Sequence, residues 1–204
     1  MDVIFFIFIF LTYILGSINF AEIFTSRKLG IDIRSLGDGN PGATNVFYNV
    51  DRKLGLIVLI LDILKGFIPI FIAYNYEITG NSLALIGLFS IIGHQYPVFH
   101  KFKGGTGIAT TIGVMMFLTP KITFYTIIFS LIIIAVINHY KRRIRVKLPP
   151  LEIGEAVGFI LLLSYSFFSA MIIKIFMIFD LILIMLKRTS RVREFLHESL
   201  YFLK

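Results

Sequence analysis

The chain has no cysteine among its 204 residues. That excludes disulfides, thiolate metal sites and cysteine nucleophiles. Tryptophan is also missing, so any aromatic belt at a membrane interface falls to nine tyrosines. Charge is scarce: 16% of residues carry it, against about 25% in a soluble domain. Histidine is limited to four scattered residues, which argues against a zinc site. No Ser-His-Asp spacing supports a nucleophilic triad. No internal repeat or low-complexity stretch divides the chain, so a single domain, residues 1–204, is expected.

What is present is apolar. Hydrophobic residues make up 57% of the chain, and phenylalanine alone contributes 22. This composition reads as an integral membrane protein. A spanning helix needs about 20 mostly apolar residues. Val3–Phe24 and Leu54–Tyr74 qualify, Ser82–Pro97 is adequate, and Gly105–Lys121 is barely long enough. Thr119-Pro120-Lys121 reads as a turn before Ile122–His139. Ile153–Leu186 is too long for one span at about 1.5 Å per residue. A break in the hydroxyl-rich stretch Ser164–Ser169 makes it a helical hairpin. The expected fold is therefore all-α, with seven transmembrane helices.

The net charge of +8 could suggest nucleic acid, but the positions argue against it. Basic residues cluster at the ends of apolar runs, where they set orientation. With seven spans, one side collects Arg27, Lys28, Arg34, Arg52 and Lys53, then Lys101 and Lys103, then Lys141–Lys147, then Lys187–Arg193. The other side carries little beyond Glu77 and Lys121. An outside N-terminus and a cytoplasmic C-terminus follow from that asymmetry. The first apolar run lacks a basic leader and an Ala-x-Ala site, so it is expected to be a retained helix.

Two polar, glycine-rich segments interrupt this apolar chain, and both fall on the cytoplasmic side. The first is Asp32-Ile-Arg-Ser-Leu-Gly-Asp-Gly-Asn-Pro-Gly-Ala-Thr-Asn45. The second is His94-Gln-Tyr-Pro-Val-Phe-His-Lys-Phe-Lys-Gly-Gly-Thr-Gly107. Glycine turns that open helices present backbone N–H groups to anions. Each segment taken alone also fits an ordinary interhelical turn or a basic membrane flank. Asp62 and Lys65 share one face of an intramembrane helix and can form a structural ion pair. His94 closes a span, where it can act as a general base or hold a loop carbonyl.

These pieces together resemble the bacterial PlsY family, the acyl-phosphate:glycerol-3-phosphate acyltransferases. The resemblance rests on Tyr13–Ile18, Asp32-Ile-Arg34, Gly37–Val46, Asp62-Ile-Leu-Lys-Gly66, Gly93-His-Gln-Tyr-Pro97 and Phe102–Thr110. It implies seven helices, an outside N-terminus and cytoplasmic motifs. It also implies a reaction in which a fatty acyl group passes from acyl phosphate to the 1-hydroxyl of glycerol 3-phosphate. Lysophosphatidic acid and inorganic phosphate would result, without a metal or other cofactor. The implied partners are these two substrates and membrane lipids, on a monomer in a bacterial plasma membrane. Gly39, Asn40, Gly42 and Thr44 are the expected first phosphate cradle, and Lys103, Gly104, Gly105 and Gly107 the second. His94 and Asn45 are the expected catalytic residues.

The chain also departs from that pattern. Asp38 stands where the family has serine, Tyr48 where it has arginine, and Thr106 where it has lysine. The stretches Lys141–Lys147 and Lys187–Arg193 replace later motifs. These departures raise an alternative, a catalytically degraded paralogue that binds lipid precursors or a partner. A small transporter is a weaker option, because few polar residues lie at helix midplanes.

Overall fold

The computed structural model describes residues 2–140 and 150–166, together with 173–175, 177–182 and 184–185. Every described regular element is helical: α1 (Asp2–Gly16), α2 (Phe20–Leu29), α3 (Ala43–Asn49), α4 (Arg52–Asn75), α5 (Asn81–Gln95), α6 (Ile108–Leu118), α7 (Pro120–Tyr140) and α8 (Pro150–Ser166). Single 3-10 turns occur at Ile33–Ser35 and Val98–His100. Among the described residues, four stretches are long and apolar enough to cross a membrane: Val3–Leu29, Arg52–Asn75, Asn81–His100 and Pro120–Tyr140.

The first of these is not one continuous helix, as Val3–Phe24 was expected to be. It breaks at Ser17–Asn19, between α1 and α2. The Asn19 side chain caps α2 by accepting from the Glu22 amide at 3.0 Å, the usual device for starting a helix. The break leaves the Ile18 carbonyl outside helical pairing. Lys65 of α4 donates to it at 3.0 Å. A polar cap and a buried cation thus outweigh the apolar run.

The turn expected at Thr119-Pro120-Lys121 is confined to Thr119, a bend between α6 and α7. α7 starts at Pro120, where a missing N–H costs nothing. α8 ends at Ser166, inside the stretch where a break was expected, and residues 167–172 lie outside the described residues. The basic stretches Lys141–Lys147 and Lys187–Arg193 also lie outside them.

Small residues let the helices touch. α6 has 11 residues, about 16 Å of helix at the usual rise, and it lies directly on α4. A Cβ on Gly113 would sit 2.0 Å from the Ile63 carbonyl oxygen, and one on Gly66 2.2 Å from that of Thr110. Backbone-to-backbone packing of this kind is the common way to associate helices in lipid. Ile70, Ile86, Ile91, Val114 and Met115 fill the main core. A smaller core of Ala21, Ile33, Val46 and Val58 lies beneath the first glycine-rich segment. α7 leaves Phe124, Tyr125, Leu131 and Ile132 exposed, as a lipid-facing surface requires.

Candidate active site

The first glycine-rich segment is organised by one side chain. Asn45, on α3, is 3% exposed. Its Nδ2 donates to the carbonyls of Ile33 at 3.3 Å, Leu36 at 2.8 Å and Asn40 at 3.0 Å. Its Oδ1 accepts from Asn49 Nδ2 at 2.8 Å. The loop therefore curls around the Asn45 amide. Gly37 and Gly39 turn it through the left-handed region, with φ of 56° and 71°, where a side chain is strained. Asp38 Oδ1 accepts from the Asn40 amide at 3.1 Å.

The second segment is pressed against the end of α5. The Gly104 amide donates to the Gln95 carbonyl at 3.1 Å. Gln95 Nε2 in turn donates to the Thr106 carbonyl at 2.7 Å. A Cβ on Gly104 would lie 2.0 Å from the His94 carbonyl oxygen, so no larger residue fits without moving the loop. Gly107 caps α6 at φ 86°.

The two segments meet at Gly105. A Cβ there would lie 2.4 Å from His94 Nε2 and 3.2 Å from the Pro41 carbonyl oxygen. Residues 41 and 105, far apart in sequence, thus come together where Gly105 lies against the His94 imidazole. His94 is buried, and its Nδ1 lies 3.6 Å from Asp62 Oδ1. Asp62 also pairs with Lys65 at 2.8 Å, and Lys65 Nζ stands 5.6 Å from the centre of the Phe20 ring. Asp62 and Lys65 are both 3% exposed, so this is the intramembrane pair that the i, i+3 spacing suggested.

A second link joins the segments. Arg34 donates from Nε and Nη2 to the Lys103 carbonyl, at 3.2 and 2.5 Å. Its Nη1 pairs with Glu22 and, at 3.0 Å, with Asp32. Burial lowers the pKa of Arg34 from its ordinary value, but guanidinium stays charged across any working pH.

A narrow apolar slot of about 160 Å³ opens beside the first segment. Leu59 and Ile63 of α4, Ile108 of α6, Ile127 of α7 and Phe159 and Leu162 of α8 line it. Glu155 of α8 also borders it and accepts a hydrogen bond from Thr44. The apolar slot is therefore linked to the first glycine-rich segment through the Glu155–Thr44 hydrogen bond. Thr111, at the slot wall, donates to buried Asp180 at 2.6 Å.

The family model for glycerol-3-phosphate acyltransferase matches residues 6–198. The chain belongs to that family. It is 45% identical over 119 residues to a glycerol-3-phosphate acyltransferase of Fusobacterium nucleatum, covering 58% of this chain and 61% of that one. It is 46% identical over 115 residues to the enzyme of that name from Aquifex aeolicus, covering 56% and 59%. The chain thus spans about three fifths of those relatives' length in these matches. It also resembles the crystal structure of PlsY, an integral membrane glycerol 3-phosphate acyltransferase, in its glycerol 3-phosphate form. That likeness has a TM-score of 0.76 and 32% identity, over 95% of this chain and 92% of that one. The lysophosphatidic acid form of PlsY gives a TM-score of 0.71 and 30% identity, with the same coverage.

Within this acyltransferase fold, the sequence-predicted cradle residues Gly39, Asn40, Gly42 and Thr44 lie in one loop, and Lys103, Gly104, Gly105 and Gly107 in the other. Sequence reasoning missed the linking groups Arg34, Gln95 and Glu155; Glu22, near the inner end of the first span, was open to either a site-facing or a snorkelling role, and it pairs with Arg34. Arg34 was visible inside the Asp32-Ile-Arg34 motif, but its charge read as a topology signal. Glu155 had no signal, because nothing in sequence ties α8 to Thr44.

Proposed function

We propose that the chain transfers a fatty acyl group from acyl phosphate to the 1-hydroxyl of glycerol 3-phosphate. The hydroxyl oxygen bonds to the acyl carbon, the bond from that carbon to the phosphate oxygen breaks, and inorganic phosphate leaves. The hydroxyl proton ends on the departing phosphate or on solvent. The observation that carries this reading is the junction of an apolar slot with two glycine-rich loops meeting over His94. An acyl chain suits the slot, and anionic heads suit N–H-rich loops. Acyl phosphate is already a reactive mixed anhydride, so positioning and charge stabilisation suffice, with no covalent enzyme intermediate.

In this reading the loop carrying Gly39, Asn40, Gly42 and Thr44 binds one phosphate. The loop carrying Lys103, Gly104, Gly105 and Gly107 binds the other. Asn45 acts by holding the first loop in shape, because its amide is committed to loop carbonyls. His94 acts at the crossing point, holding Gly105 beside Pro41 and facing the acceptor hydroxyl. Seven spans, an outside N-terminus, a cytoplasmic site and a monomer in the bacterial plasma membrane complete the proposal. The positive residues on alternate loops support that orientation.

A specific observation favours a second reading, the degraded paralogue. Where the family resemblance implies arginine and lysine, the chain has exposed Tyr48 and buried Thr106. One experiment separates the readings. Purified protein is given long-chain acyl phosphate and labelled glycerol 3-phosphate, and labelled lysophosphatidic acid is measured. Product formed without coenzyme A or acyl carrier protein supports acyl transfer. No product at high substrate, with activity gained in Tyr48→Arg/Thr106→Lys, supports the paralogue.

A further inference from the structure

The Arg34 guanidinium has two kinds of partner, carboxylates and a backbone oxygen, and each removes it from the pool of cations open to a substrate. Its charge is balanced internally by Glu22 of α2 and by Asp32. Its flat edge, Nε with Nη2, converges on one backbone oxygen, that of Lys103, 69 positions away. Its backbone amide is fixed by Asp32 Oδ1 at 2.8 Å. Its own carbonyl lies 3.3 Å from where a Cβ would sit on Gly39, at the turn of the first loop. One side of Arg34 thus lies under the first glycine turn and the other holds the residue that leads into Gly104.

We infer that Arg34 is a positioning residue: a clamp that holds the two glycine-rich loops in register, not a phosphate-binding cation. A guanidinium offers two N–H groups in a fixed plane, and lysine cannot reproduce that geometry. With the clamp closed, Lys103 is held at its carbonyl and at its amide, which donates to His100 at 2.9 Å. Gly104 then continues onto Gln95, and Gly105 falls against His94 and Pro41. With the clamp open, the second loop loses its tie to the first, and its remaining bonds to Gln95 open more often. The gap between the loops, into which both phosphates fit on the proposed function, is then no longer set.

The part of this inference that concerns turnover rests on the acyltransferase reading; the clamp itself does not. The test therefore has two arms on full-length protein in detergent micelles, with the variants Arg34→Lys and Arg34→Ala. In the first arm, amide hydrogen exchange is followed at residues 103–107 and across α4. The expected result for Arg34→Lys is exchange at Gly104 about tenfold faster, the scale of one lost charge-assisted hydrogen bond, with α4 unchanged. Unchanged exchange at Gly104, or equal loosening of α4, overturns the clamp.

In the second arm, the expected result is a kcat about 100-fold lower in Arg34→Lys, as for a misplaced reacting pair. The KM for glycerol 3-phosphate should barely move, and added guanidinium should restore Arg34→Ala. A raised KM with normal kcat would instead make Arg34 a substrate-binding cation and overturn the inference. If the wild-type protein forms no lysophosphatidic acid, the proposed function fails, while the exchange arm still decides the clamp.

Discussion

At Asn45 a single amide holds three carbonyls of the first loop, and a fourth contact joins it to Asn49. Replacing it by alanine leaves buried acceptors without donors, at about 1–3 kcal/mol for such a loss. Asn45→Ala is therefore expected to unfold at lower temperature and to lose most activity. Asn45→Asp should be worse than its size suggests, since a carboxylate cannot donate to those carbonyls. Thermal unfolding in detergent, read beside activity, checks both. Asn45 and the glycines around it stood out in the sequence because polar, turn-forming residues are rare between apolar runs. What Asn45 does was not legible there. Its catalytic assignment came with the family resemblance, whereas its partners are carbonyls, which every residue carries and no sequence pattern marks. Arg34 was hidden for a different reason. A basic residue near a membrane is expected on topological grounds alone, and its partner is again a backbone oxygen.

Between elements, the contacts that matter are ionic and few. Lys65 of α4 joins three things: Asp62 on its own helix, the Ile18 carbonyl at the α1–α2 break, and the Phe20 ring. Removing one partner of a buried pair strands the other charge, at about 3–5 kcal/mol. Lys65→Met is thus expected to destabilise strongly, and Asp62→Leu/Lys65→Met to recover much of the loss. Chemical or thermal unfolding of the three proteins tests this. At the aqueous end of the same helix, Asp51 caps α4 by accepting from the Leu54 amide at 3.0 Å, and pairs with Lys28 at 2.5 Å. The bond from Lys28, then that from Leu54, holds its pKa at about 2, below the ordinary 3.8. The folded value is depressed, so this contribution is complete above about pH 4 and disappears as pH falls toward 2. The difference in unfolding temperature between wild type and Asp51→Asn should therefore shrink over that window. A constant difference would contradict it. The i, i+3 spacing made the Asp62–Lys65 pair legible. The break at Ser17–Asn19 was not, because the flanking residues are apolar enough to carry a helix through.

For the whole molecule, composition carried the fold class: four long apolar, helical stretches among the described residues agree with a membrane protein. The side-by-side packing of α4 and α6 was not legible, because it depends on Gly66 and Gly113 meeting backbone on the facing helix. Nor was the apolar slot, which needs α8 to return against α4 and α6 across most of the chain. The site likewise exists only at this scale, since residues near 40 and residues near 104 come together through the packing of α5 on α1 and of α6 on α4. That shared placement is open to direct measurement, and the absence of native cysteine makes the background clean. Asp38→Cys and Lys101→Cys, both at exposed loop positions, are labelled singly with a membrane-impermeant maleimide in spheroplasts and in inside-out vesicles. Both should react only in inside-out vesicles, and glycerol 3-phosphate should slow both. Labelling from opposite faces, or protection of one position with the other untouched, would contradict a single cytoplasmic site built from both loops.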